Sequence, residues 1–178
     1  MTRFKAIGLT GTNASGKGEA AHFFEKHGYD YISLSDFIRE ELKKNSLKIT
    51  RDNLILTGNQ MRKRHGPDTL ARRAVNKLKG KTVIDSIRNV NEIQYIRNHT
   101  EFILLSIDAP PEVRFRRAKK RGRHESVDTL EEFIEIEKKE MTNKNKSQQL
   151  KKCMNSADFK IINQGTLKEF HKKLEVFL

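Results

Sequence analysis

Cysteine occurs once in this chain, at Cys153, which excludes an internal disulfide and any zinc site built from several thiolates. A lone thiol of this kind reads as buried and inert. Long apolar runs are missing too. None approaches the ~20 residues that a membrane-spanning helix requires, so no membrane partner is expected. The opening MTRFKAIGLTG passes from a short apolar run straight into a glycine-rich loop, without the longer apolar stretch and small-residue cleavage site of a secretory signal. These absences point to a soluble, cytoplasmic protein. The six histidines show no HxxxH spacing for a metal, no Ser–His–Asp arrangement stands out, and no segment repeats.

Positive charge is what the chain has in excess. Its 178 residues carry 36 Lys and Arg against 23 Asp and Glu, a formal charge of +13. Such a balance concentrates polyanions, whether nucleotides, RNA or acidic lipid, and charge alone does not choose among them. Hydrophobic residues make up 35% and charged residues 33%, a polar composition that still holds several compact apolar runs. The length suits one domain, residues 1–178, built around a single sheet.

Those apolar runs are Phe4–Leu9, Tyr29–Leu34, Thr82–Asp85, Phe102–Ile107 and Phe159–Ile162, each compact enough to be a strand buried on both faces. Between them, helical patterns cover about Gly16–His27, Asp36–Asn45, Arg51–Arg64, Asp68–Leu78, Val90–Asn98, Pro111–Arg121, Leu130–Glu140 and Leu167–Phe177. Parallel neighbours need crossover connections, and helices on those crossovers cover both sheet faces. The alternation therefore predicts an α/β fold of three α/β/α layers around a five-stranded parallel sheet. Gly28, Gly66-Pro67, Gly80 and Gly165 fall between periodic segments, where breaks and caps belong. The polar stretch Met141–Lys152 reads as either a mobile segment or a solvated helix.

The strongest chemical signal is the run Gly11, Thr12, Asn13, Ala14, Ser15, Gly16, Lys17, Gly18, which follows the strand-like AIGLT and leads into a helical pattern. Glycines permit the tight turn, backbone N–H groups converge on phosphate oxygens, and the helix N-terminus faces the same anion. Lys17 adds a cation that reaches the terminal phosphates. The usual pattern places Ser or Thr after the lysine to meet Mg2+, whereas Gly18 and then Glu19 stand here.

Three further segments carry paired charges. In ISLSDFIRE, Asp36 and Arg39 are one helical turn apart; Asp36 can orient or deprotonate an acceptor hydroxyl and Arg39 can grip an acceptor phosphate, or Asp36 simply caps a helix. In TVIDSIRN, Asp85 closes the third strand, where open α/β sheets gather ligands. It can hold Mg2+ through water, with Arg88 meeting a second phosphate; the plainer alternative is again a helix cap. The run PPEVRFRRAKKRGR, residues 110–123, places Arg114, Arg117 and Arg121 at helical spacing. That row can form a cationic lid for triphosphate; the plainer alternative is a solvated face, and RNA could use the same row although nucleic acid is not the favoured partner.

With these residues in view the chain resembles the P-loop nucleotide-kinase superfamily, and within it the dephospho-CoA-kinase-like and (deoxy)nucleoside-monophosphate-kinase-like ATPases. The resemblance spans nearly the whole chain, through the loop at 11–18, LSDFIRE, TRDNLILTGNQMR, VIDSIRNVNEI, IDAPPEVRFRRAKKRGR and ADFKIINQGTLKEF. It implies a P-loop NTPase fold with a small basic lid at about 111–145, and ATP held by residues 11–19, Arg117 and the INQGT turn with Asn163 and Gly165. It also implies Mg2+ at Asp85, an acceptor phosphate at Arg88, and lid arginines Arg117 and Arg121 on the transferring group. The expected catalytic set is Lys17, Asp36, Asp85, Arg117 and Arg121, with Asp36, Arg39 and Arg88 on the acceptor. The expected activity is an ATP-dependent kinase acting on a small phosphorylated molecule, as a monomer or homodimer. The alternatives are a regulatory ATPase and an RNA-associated ATPase, the latter drawn from the +13 charge.

Overall fold

Side chains on successive strand residues point to opposite faces, and in β1 (Ala6–Gly11) every one of them is buried. A strand buried on both faces belongs at the centre of a three-layer fold. The computed structural model, which describes residues 5–121, 128–142 and 149–178, puts it there. β1 pairs in parallel with β3 (Thr82–Asp85) on one side and β4 (Phe102–Asp108) on the other. β2 (Asp30–Ser33) and β5 (Phe159–Ile162) complete a five-stranded parallel sheet in the order β2-β3-β1-β4-β5. The expected architecture is the observed one, but the edge strands β2 and β5 are largely exposed rather than buried on both faces.

The two faces form two cores. Ile7, Leu9, Val83, Ile103, Leu105 and Ile107 pack with Phe23 and Phe24 of α1 (Lys17–Lys26) and with Phe170 and Leu174 of α9 (Leu167–Glu175). Ala6, Ile84 and Leu104 point the other way. They meet α2 (Leu34–Lys44), α3 (Arg51–His65), α4 (Thr69–Val75), α5 (Val90–His99) and α8 (Leu150–Asn155). Cys153 on α8 is fully buried in that second core, and burial pushes its thiol up to about 12, so the inert reading of this cysteine is the right one. α6 (Pro111–Arg121) and α7 (Leu130–Thr142) pack on each other through Phe115 and Phe133. Among the described residues no helix is long and apolar enough to cross a membrane.

Register fixes where the functional ends lie. Ser33 pairs with Asp85, and Gly11, the end of β1, pairs with Ile107 one residue before Asp108. Four strands thus deliver Gly11, Ser33, Asp85 and Asp108 to one edge of the sheet. The chain leaves β1 toward β2 and leaves β3 toward β4 on the opposite side, so the crevice outside β1 and β3 is the switch point where such sheets bind ligands.

Several boundaries differ from those expected. β1 runs Ala6–Gly11 rather than from Phe4, which lies outside the described residues. α2 begins at Leu34, with Ser33 at its N-cap, so Asp36 caps nothing. Asn89 caps α5 in a reciprocal box with Glu92, so Asp85 is no cap either. The polar stretch reads as either a mobile segment or a solvated helix; its end begins α8, which is not wholly solvated, because Leu150 and Cys153, one turn apart, are buried. Residues 122–127 of the basic lid run and 143–148 of the polar stretch lie outside the described residues.

Candidate active site

The loop between β1 and α1 is shaped by close backbone contacts. Gly11 has φ 141°, and a Cβ there would overlap the Ile107 carbonyl oxygen of β4. Gly16 has φ 111° and forms the N-cap of α1, with no side chain capping the first turn, so the N–H groups of that turn face outward for an anion. Lys17 Nζ folds back over the loop and donates to the carbonyls of Gly11 (2.8 Å) and Thr12 (2.6 Å). Burial first and the Arg88 guanidinium second pull its ammonium down to about 8, against the opposing field of Asp85.

Two side chains from distant parts of the chain clasp this loop. Asn163, at the end of β5, donates from Nδ2 to the Ser15 carbonyl at 2.9 Å. Arg117 on α6 donates to the same carbonyl and to Asn163 Oδ1, each at 3.3 Å. Burial, then Arg121 and Arg116 beside it, press Arg117 below its ordinary value. Thr12 Oγ1 donates to Asp108 Oδ1 at 2.6 Å, and Ser15 Oγ donates to the Thr12 carbonyl at 2.9 Å. Gly165 stands apart from the cavity, beside Glu169 of the α9 capping box. Glu19 Oε1 lies 2.8 Å from Nε2 of His171 on α9, which ties its carboxylate to the helix layer. Around Gly18 the space a Cβ would occupy is open.

Across from the loop lies a cavity of about 710 Å3. Its walls include Asn13–Glu19, Tyr31, Ser33, Ser35, Arg39, Asp85, Ser86, Arg88 and Arg121, with Ile38, Leu54 and Ile55 as an apolar patch and Arg51 and Arg62 beside them. Asp85 Oδ1 accepts the Ser86 N–H at 2.6 Å, and Oδ2 accepts the Tyr31 hydroxyl at 3.4 Å. Burial, reinforced by Asp85, pushes the Tyr31 phenol up to about 12. Ser86 holds φ 66°, a left-handed conformation that non-glycine residues rarely adopt and that places it on the cavity wall.

The structure therefore brings Lys17, Asp85, Arg88, Arg39 and Arg121 to one cavity. It does not bring Asp36, which is 54% exposed and pairs with Arg39 Nη1 at 2.8 Å. Ser35 is the residue of that turn that lines the cavity, and it accepts from the same Arg39 nitrogen at 2.6 Å. Arg114 also departs from the expected row. Its side chain is buried, bound to Glu137 of α7 and to the Ala109 carbonyl, with Asp108 at 3.6 Å. Tyr31, Ser86, Arg62 and Asp108 went unremarked in the sequence. Only Asp108 left a signal, as it closes FILLSID just as Asp85 closes TVID.

Mg2+ keeps several waters and takes only one or two carboxylates together with substrate phosphates. A single recessed carboxylate beside a phosphate loop fits that demand, and Asp85 is 9% exposed in the wall shared with Lys17. Among the described residues no cluster of three or more His, Cys, Asp or Glu could hold a metal unaided.

The AAA domain family matches residues 10–134. A UPF0200 protein of Pyrococcus horikoshii is 35% identical over 176 residues, covering 94% of this chain and 92% of the relative. The UPF0200/UPF0201 protein of Archaeoglobus fulgidus is 32% identical over 186 residues, and there the chain spans 56% of the relative's length. Among solved structures, a shikimate kinase from Bacteroides thetaiotaomicron superposes with a TM-score of 0.62 at 14% identity over 97% of both chains. TT1252 from Thermus thermophilus gives 0.61 at 19% identity over 96% of this chain and 94% of its own. At such identities the likeness carries the fold, which is that of P-loop kinases.

Proposed function

The chain belongs to the UPF0200 and AAA domain families, and we propose that it is an ATP-dependent phosphotransferase whose acceptor is a small phosphorylated molecule such as a nucleoside monophosphate. The observation that carries this is the cavity in which residues 13–19 of the phosphate loop, Asp85 and the acceptor-side cations Arg39 and Arg88 meet. ATP lies with its phosphates against the loop amides and Lys17, and the INQGT turn with Asn163 borders its base. Asp85 would hold a Mg2+ bound with the nucleotide, which would supply charge neutralisation for the phosphates.

Arg39 and Arg88 hold the acceptor's phosphate in line with the terminal phosphoryl group, and Arg117 and Arg121 oppose the charge that develops on it. Asp36 acts at one remove, by orienting Arg39. Positioning supplies most of the rate. Among the described residues the carboxylates on the cavity wall are Asp85 and Glu19, and Glu19 is held by His171. This favours an acceptor that needs no general base. A phosphate monoester, whose second pKa is about 6, presents a charged nucleophilic oxygen at neutral pH, whereas the hydroxyl of dephospho-CoA must lose a proton. In this reading residues 1–178 form one unit, with 111–145 as its lid.

The test is ADP release with CMP, dCMP, AMP, UMP and dephospho-CoA in parallel, and with RNA at two salt concentrations. The proposal requires turnover that depends on a monophosphate. Turnover that depends on RNA and collapses with salt would transfer the chain to the RNA-associated ATPases, and slow hydrolysis indifferent to every acceptor would make it a regulatory switch.

A further inference from the structure

We propose that Arg62, the last residue of the TRDNLILTGNQMR segment and one to which the sequence assigned no role, seats an oxyanion of the acceptor on the apolar side of the cavity; this rests on the phosphotransferase reading above. Arg62 lies on α3 with its side chain 3% exposed, paired to a Glu92 side chain that is 0% exposed. Its Nε donates to Glu92 Oε1 at 2.9 Å, and Nη2 lies 2.7 Å from the same oxygen. The other oxygen, Oε2, accepts the N–H groups of Arg88 (3.1 Å) and Asn89 (3.0 Å). Both carboxylate oxygens are therefore doubly engaged, and the third guanidinium nitrogen, Nη1, is buried with no hydrogen-bond partner among the described residues.

A buried donor left unsatisfied is costly and uncommon in native proteins. Arg62 is one of the residues that line the cavity, together with Ile38 and Leu54. Gly58 creates the position, because a Cβ there would come within 2.8 Å of Ile38 Cδ1 and 3.3 Å of Arg62 Nη1. With glycine, α2 and α3 approach closely enough for Nη1 to sit between them. Glu92 balances the charge of Arg62 and braces the peptide of Arg88 at the same time, so one carboxylate sets the spacing of two guanidinium groups.

An acceptor that meets this wall needs a lone pair for Nη1 and negative charge for Arg88 and Arg39, which a phosphate or a carboxylate supplies. Ile38, Leu54 and Ile55 beside it fit a ring or apolar body joined to that anion. Glu92 is a positioning residue here, and Arg62 is the contact.

The experiment uses the full chain with ADP saturating the phosphate loop and follows the Nε–H resonance of Arg62 by NMR while inorganic phosphate, or separately acetate, is added. A saturable shift in the phosphate arm identifies a phosphomonoester acceptor, and one in the acetate arm a carboxylate acceptor. Arg62→Lys keeps the charge beside Glu92 and removes the Nη1 donor. It should weaken the responding titration at least tenfold while ADP affinity stays within twofold. No shift in either arm, or an unchanged affinity in Arg62→Lys, overturns the proposal. Failure of ADP to bind would instead sink the phosphotransferase reading, and the resonance of Arg62 would still decide whether this seat exists.

Discussion

Nucleotide binding should draw a proton into the protein at alkaline pH, and Lys17 should be the group that takes it. In the empty site its ammonium is held down to about 8 by burial and by Arg88. A triphosphate beside it supplies the missing countercharge and returns it toward the ordinary lysine value of about 10.4. At pH 9 an amine of pKa 8 is only ~10% protonated and one near 10.4 is ~95% protonated, so binding should take up about 0.9 proton; at pH 7 the uptake falls to about 0.1. The same linkage lowers ATP affinity about tenfold between pH 7 and pH 9, or ~1.4 kcal/mol. Calorimetry in two buffers of different ionisation enthalpy measures the uptake directly, and Lys17→Met, which has no proton to exchange, is the control. The sign also reaches stability. An amine depressed in the folded state leaves the unfolded chain holding more protons between pH 8 and 10.4, so the empty wild-type protein should gain stability relative to Lys17→Met across that window. Equal uptake at pH 7 and pH 9, or the same pH dependence in Lys17→Met, would refute the reasoning.

Asp85→Asn keeps the shape of the side chain and removes its charge, so the Mg2+ concentration for half-maximal turnover should rise at least about tenfold while metal-free nucleotide affinity changes little; a metal titration of both forms checks this. Glu19→Thr breaks the contact with His171 without touching the loop backbone, and ATP affinity should move by less than about tenfold, ~1.4 kcal/mol. A much larger gain in the binding isotherm would mean that the native carboxylate opposes the phosphates. Asn163→Ala removes the buried donor to the Ser15 carbonyl and should cost about 1–3 kcal/mol in urea denaturation, with a loss of ADP affinity.

The layers were legible because the strands have only one reading. TVID is buried at every position and too short for a helix, and the phosphate loop follows a strand as its chemistry demands. Sites made by sequence neighbours, such as Lys17 with its loop or Asp85 with Arg88, were legible for the same reason. Asp36 was misread because its placement hung on the first residue of α2. With the helix starting at Leu34, Ser35 turns inward and Asp36 faces solvent. Arg114 shares the helical spacing of Arg117 and Arg121 but differs in what lies opposite, and nothing near it announces Glu137 of α7. The Arg62–Glu92 pair joins residues 30 positions apart, on helices whose approach is decided by Gly58. Local patterns carry no trace of such a meeting.

The clasp on the Ser15 carbonyl has a consequence for how the protein is made. Asn163 and Ser15 are 148 positions apart, and Asn163 arrives at the loop only when β5 pairs with β4 through Leu105↔Phe159 to Asp108↔Ile162. A nascent chain emerging from the ribosome N-terminus first therefore exposes Gly11–Gly18 long before the residue that fixes its curvature has been translated. The central strands β1, β3 and β4 can assemble before β5, and until β5 joins them the Ser15 carbonyl has Arg117 but not Asn163 to hold it. On the proposed function, the loop gains its full set of clasping contacts for nucleotide only once β5 has joined the sheet.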